Sequence, residues 1–86
     1  MILGNVYQKS PSQLRSDLET VGFKRAHPAS EHYKHRDITI RLDQPDAHTS
    51  YNHMHIEVGS KSNKSYYDIN LEKVNRRSPN AHIRIR

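Results

Sequence analysis

The chain has 86 residues, of which 33% are hydrophobic, and its 14 Lys and Arg against 9 Asp and Glu give a net charge of +5. This length predicts a single domain over residues 1–86 with a small core. The sequence has no cysteine and no apolar run near the roughly 20 residues of a membrane span, which excludes disulfides, thiolate sites and spanning helices. The basic balance favours an anionic partner: nucleic acid, an acidic protein or, in last place, a membrane surface.

The first predicted element is a helix over residues 11–21. Ser10 is a typical N-cap with Pro11 after it, and Gln13 completes a capping box. Gly22 suits a left-handed C-terminal cap. The apolar stripe of this helix consists of Leu14, Leu18 and Val21.

Beyond Gly22 the pattern predicts extended chain. Residues 37–43 and 51–59 alternate between apolar and polar side chains, which is typical of strands with one buried face. Further strands are predicted over 23–26, 66–71 and 81–86, with polar turns at 43–50 and 59–64. The predicted fold class is α+β, with one N-terminal helix packed on a twisted antiparallel sheet of four to five strands.

The predicted sheet turns one set of polar side chains away from the helix, onto a face expected to be wet. The strand at 51–59 directs His53, His55 and Glu57 to that face. If the polar residues of the neighbouring strands point to the same face of the sheet, they add Thr39, Arg41, His82, Arg84 and Arg86 to it.

Imidazoles beside guanidinium groups are suited to cleavage of RNA by transphosphorylation. His53 and His55 would act as general base and general acid in either order, with His82 assisting or replacing one of them. Arg41 and Arg84 would hold the phosphate as charge develops. The expected product is a 2′,3′-cyclic phosphate.

Other basic and aromatic residues are candidates for substrate binding. Tyr51 borders the histidines and could stack on a base. The residues predicted to steer the RNA backbone are Lys34, Arg36, Arg76 and Arg77.

The same face offers an alternative chemistry, since His-x-His-x-Glu along one strand with His82 nearby could bind a metal ion. Arg41 and Arg84 on that face would repel a divalent cation. The sequence therefore predicts catalysis without a metal or other cofactor.

A further set of residues runs through the middle and end of the chain: residues 40–46, Thr49, Tyr51, His53, Met54, His55, Ile56, Asp68, Ile69, Asn70, Val74, Arg77, Ser78, Pro79, Ala81, His82 and Ile83. In these residues the chain resembles the C-terminal toxin domains of bacterial polymorphic toxins of the RHS, LXG and contact-dependent-inhibition types. This resemblance implies a small metal-independent ribonuclease of the barnase, EndoU, colicin and RelE type, acting in the bacterial cytoplasm after delivery on a larger secreted toxin. It also implies a cognate immunity protein or antitoxin, which the basic site predicts to be acidic. By position, Arg41, His53, His55 and His82 are the matching polar residues.

A second resemblance rests on Leu18, Gly22, Phe23, Ser30, His32, Tyr33 and His35. These residues are similar to those of HicA-type mRNA interferases, which would assign the catalytic histidine to His32 or His35. Their fold ends in a C-terminal helix, which residues 81–86 do not predict.

The alternative from another class is a basic module that binds RNA or an acidic protein without turnover.

Overall fold

The computed structural model of the protein describes residues 6–28, 30–47, 49–60 and 62–86. After a short 3₁₀ turn at Val6–Gln8, helix α1 spans Pro11–Thr20 with the predicted capping box at its start. Val21 is the C-cap, and Gly22 has a φ of +104°, so the predicted left-handed cap is confirmed. Among the described residues, no helix has the length and apolar character needed to cross a bilayer.

Seven antiparallel strands form a single sheet, so the predicted count of four to five is wrong. Six strands follow the order β1-β2-β3-β4-β5-β6, and β7 also pairs with β4. The strands are β1 (Lys24–Arg25), β2 (His32–His35), β3 (Ile38–Asp43), β4 (His53–Val58), β5 (Ser65–Tyr67), β6 (Lys73–Val74) and β7 (Ile83–Arg84).

Two predicted strands are shorter than expected because turns interrupt them. The strand predicted over 66–71 ends at Tyr67, since the Asp68 carboxylate accepts from the backbone N–H groups of Asn70 and Glu72. Leu71, in the same turn, has a left-handed φ of 63°. The strand predicted over 81–86 is reduced to β7 because a 3₁₀ turn at Pro79–Ala81 precedes it.

Strand β4 is the centre of the sheet and has two partners on one edge. Its first half pairs with β7, placing His53 opposite Arg84, and its second half pairs with β5, placing Glu57 opposite Tyr66. On the other edge it pairs with β3 along its full length, so His55 lies opposite Arg41. Strand β4 is therefore hydrogen-bonded along both of its edges.

One face of the sheet packs on α1, as the alternation predicts. Leu14 and Leu18 are fully buried and belong to the same core as Ile40, Met54 and Ile56. Burial of such side chains contributes about 1.5–3 kcal/mol each and is the main force that holds the helix on the sheet. The remaining members of the core are Val6, Phe23, Tyr33, Leu42, Ile83 and Ile85.

The opposite face is not the wet surface that the sequence predicts. His53, His55 and Glu57 are 1%, 4% and 1% exposed. Buried polar groups require partners, because their desolvation is otherwise uncompensated. The arrangement of those partners defines the site.

Candidate functional site

Three histidines from two separate strand regions converge on the polar face of the sheet. His53 and His55 alternate along β4, and His82 immediately precedes β7. The ring centroids of His55 and His82 are 4.7 Å apart, and the other two pairs are 5.0 and 5.3 Å apart. One ring nitrogen of each histidine lies within 4.8 Å of the others.

Backbone carbonyls fix the orientation of two of these rings. His53 Nδ1 lies 3.0 Å from the carbonyl oxygen of Tyr51, and His82 Nδ1 lies 3.1 Å from that of Ser78. A carbonyl oxygen only accepts, so each Nδ1 carries a hydrogen and donates it. The lone pair of each neutral ring is then on Nε2.

The local sequence before β7 delivers His82 to this position. Ser78 caps the 3₁₀ turn by accepting from the backbone N–H of Asn80, and Pro79 occupies its first position. Ala81 is 1% exposed and anchors the turn in the protein interior. His82 therefore emerges beside β4 instead of extending into solvent.

A network of two carboxylates and one guanidinium lies beside the histidines. Arg41 donates to Asp43 through Nη2 at 2.7 Å and to Glu57 through Nη1 at 3.1 Å. Lys64 also donates to Glu57, at 3.1 Å. Asp43 Oδ2 lies 3.4 Å from His55 Nε2 and 3.6 Å from His53 Nε2.

The electrostatics of this network follow from its contacts. Burial by itself would raise the pKa of Asp43, but the contacts with His55 and Arg41 outweigh burial and hold that pKa well below its usual range. The hydrogen bond to Asp43 in turn raises the pKa of Arg41. Asp43 is thus a fixed negative charge beside the imidazoles, and Arg41 is neutralised by its two carboxylate partners.

A cavity of about 760 Å³ opens beside this cluster. His55 and His82 form part of its wall, with Arg76 and Arg77 from the segment after β6. Within the described part of the chain, neither of these two arginines forms an ion pair. The other lining residues are Arg41, Asp43, Asp46 and Tyr66.

The sequence model of the PT7 toxin protein family matches residues 19–86, which include every residue of this cavity. The chain belongs to the PT7 toxin family. No curated protein and no solved structure matches it. The family match supports a polymorphic-toxin C-terminal domain and therefore a toxin function.

In this PT7 toxin, some of the residues predicted to bind substrate lie away from the histidine cavity. Lys34 and Arg36 line a second cavity of about 860 Å³ together with His32. The guanidinium carbon of Arg84 lies 5.2 Å from the centre of the Tyr51 ring, so these two predicted residues contact each other. The Tyr51 hydroxyl donates to the carbonyl oxygen of His82 at 3.4 Å.

Three residues of the PT7 toxin cavity, Asp43, Asp46 and Tyr66, were not among the predicted site residues. Asp43 shares the parity of Thr39 and Arg41 on β3, so the same alternation could have found it. Its position beside a Gln-Pro turn favoured a loop instead. Tyr66 resembles an ordinary strand tyrosine, and only the structure shows that its ring lies 6.4 Å from His55.

Proposed function

We propose that this PT7 toxin is a metal-independent endoribonuclease. The observation that carries the proposal is one cavity in which His55 and His82 lie beside Arg76 and Arg77. Its volume of about 760 Å³ is in the usual range for small-ligand sites, about 300–1,000 Å³. Paired imidazoles supply proton transfer, and guanidinium groups bind phosphate.

In the proposed reaction one imidazole removes the proton of a ribose 2′-hydroxyl, and the 2′-oxygen forms a bond to the adjacent phosphorus. The bond from phosphorus to the 5′-oxygen breaks, and the second imidazole, in its protonated form, donates its proton to that oxygen. The products are a 2′,3′-cyclic phosphate and a 5′-hydroxyl, and each group contributes about 10²–10⁴-fold.

The surroundings favour one assignment of these roles. The Nδ1 hydrogen of His82 is bonded to Ser78, so its Nε2 lone pair suits the general base. Asp43 Oδ2 lies 3.4 Å from His55 Nε2 and orients that ring, and His55 is therefore proposed as the general acid. His53 does not line the cavity and is proposed to support the other two rings from behind.

Phosphate binding is proposed for Arg76 and Arg77, because Arg41 is already bonded to Asp43 and Glu57. Lys34 and Arg36 would contact the RNA backbone farther from the cut. Cleavage of long RNA should then weaken steeply with salt, by a log–log slope of about −0.7 for each phosphate contact on a single strand.

The proposal is tested by incubating total RNA in EDTA with the wild-type protein and with His55→Ala and His82→Ala variants. His27→Ala is the matched control, since His27 is an exposed histidine outside the cavity. The wild type and the control should produce cyclic phosphate ends, and each cavity variant should lose about 10²–10⁴-fold in rate. Binding without any shortening of the RNA would indicate the non-catalytic basic module instead.

We further propose that the toxin acts on RNA in the bacterial cytoplasm and is neutralised by an acidic immunity protein. An acidic surface placed over Arg76 and Arg77 would block the cavity and associate quickly, since opposite charges raise the association rate. Co-expression with such a partner should relieve toxicity in the same cells that the His82→Ala variant leaves unharmed.

A further inference from the structure

We propose that His53, His55 and His82 form a binding site for a transition-metal ion such as Zn²⁺, and that the bound ion inhibits RNA cleavage. The binding site stands on the geometry alone, whereas the inhibition rests on the function proposed above. The metal would be an inhibitor of the toxin and not its cofactor.

The first argument is an unsatisfied set of ring nitrogens. Nε2 of His53 and Nδ1 of His55 are buried and have no hydrogen-bond partner among the described residues. A buried polar atom without a partner has lost its hydration with nothing to compensate for it. Two such atoms in one cluster of three imidazoles are suited to a ligand that accepts lone pairs, as a metal cation does.

The second argument is the orientation of the rings. Metal-bound histidines generally donate their other ring N–H to a backbone carbonyl or a carboxylate. His53 and His82 do so to Tyr51 and Ser78, at 3.0 and 3.1 Å. Both rings therefore already have the tautomer that presents Nε2 to an ion.

The third argument is the placement of the charged side chains around the histidines. Arg41 was expected to repel a cation, but Asp43 and Glu57 both form ion pairs with it. Arg84 was expected to do the same, but it lies over the ring of Tyr51. The Asp43 carboxylate lies 3.4 and 3.6 Å from Nε2 of His55 and His53, and it offsets part of the positive charge that Arg76 and Arg77 add along the cavity wall.

The distances allow the site to close. Zn–N bonds of about 2.0–2.1 Å in a tetrahedral site separate the nitrogens by about 3.3 Å. The nitrogens of this cluster lie within 4.8 Å of one another. Side-chain rotations that move each nitrogen by about 1 Å would bring all three to bonding distance of one zinc ion. Three imidazole ligands suit Zn²⁺, Co²⁺, Ni²⁺ and Cu²⁺ better than Mg²⁺ or Ca²⁺.

Inhibition follows because one lone pair cannot serve two purposes. A ring nitrogen bonded to zinc can neither take a proton from a 2′-hydroxyl nor deliver one to the leaving oxygen. Zinc bound to His55 and His82 would therefore stop both proton transfers. A chelator that removes the ion would restore them.

The experiment begins with EDTA-treated and dialysed protein titrated with ZnCl₂ in a calorimeter, followed by the absorption spectrum with Co²⁺. We expect saturation at a single ion per chain, a tetrahedral Co²⁺ spectrum, and a higher Tm in the presence of Zn²⁺. His82→Ala should lower the affinity by at least about 100-fold, whereas His27→Ala should leave it unchanged. Because His82 is only partly buried, its variant is the one expected to fold, and His53→Gln provides a second test at the buried ligand.

RNA cleavage is then measured in chelator and after equimolar Zn²⁺ is added. We expect Zn²⁺ to reduce the rate at least about 10-fold and a chelator to reverse the loss. Weak binding, or binding that His27→Ala weakens as much as His82→Ala does, would overturn the metal site and leave the ribonuclease proposal intact. Faster cleavage with Zn²⁺ would overturn the proposed inhibition. Absence of cleavage in every condition would overturn the ribonuclease proposal, and the calorimetric titration would still show whether the three histidines bind the metal.

Discussion

Replacement of Arg41 by methionine separates a structural role of this arginine from a catalytic one. Its guanidinium bonds to Asp43 and to Glu57, whose side chain is 1% exposed. Removal of one partner of a buried ion pair costs about 3–5 kcal/mol. Lys64 still pairs with Glu57 in the variant, so we expect a smaller loss of about 2–3 kcal/mol. The total free energy of unfolding of a domain of this length is only about 4–13 kcal/mol.

The assay is equilibrium unfolding in urea, with Lys64→Met as the matched control. Both substitutions keep an apolar stem and remove a cation from Glu57, but the Lys64 side chain is 35% exposed, so its loss should cost about 0–1 kcal/mol. With an m-value of about 1–1.5 kcal/mol/M, Arg41→Met should lower the midpoint by roughly 2 M. Equal and small shifts for the two variants, together with abolished cleavage in Arg41→Met, would refute the structural role and favour direct phosphate binding by Arg41.

The remaining predictions concern the scaffold and its pH dependence. Gly59→Ala should lower the Tm in a thermal melt by more than Gly22→Ala does. Both glycines have left-handed φ angles, but only at Gly59 would a Cβ collide with backbone atoms of the following turn. Leu14→Ala should lower the free energy of unfolding by about 2–5 kcal/mol and Val21→Ala by under about 0.5 kcal/mol, because Leu14 is fully buried and Val21 is 51% exposed. Equal losses for the two variants would contradict the packing of α1. Loss of hydration on one side of the ring, together with the charge of Arg41, lowers the pKa of His32 below 6.5, so the folded protein binds fewer protons than the unfolded chain just below pH 6.5. The contribution of His32 to stability should therefore fall as the pH decreases through that window, and an NMR titration of its ring with a midpoint at or above 6.5 would contradict this.

The regular elements with strong local signals could be predicted from the sequence. The capping box and Gly22 set the ends of α1, and alternation set β3 and β4, because these signals depend on neighbouring residues alone. Strand β2 was missed because Tyr33 is its only buried residue, so its hydrophobic pattern is weak. Such a strand forms through pairing with β3 and not through its own composition.

The candidate site shows the same division. A period of two determined which side of β4 carries its histidines, and that property follows from strand geometry in any fold. Only the tertiary structure decided that the β4–β7 pairing brings His82 beside them and that they are buried. It also decided that two carboxylates neutralise Arg41, because ion pairing and desolvation depend on residues that are distant in sequence and meet only when the sheet closes.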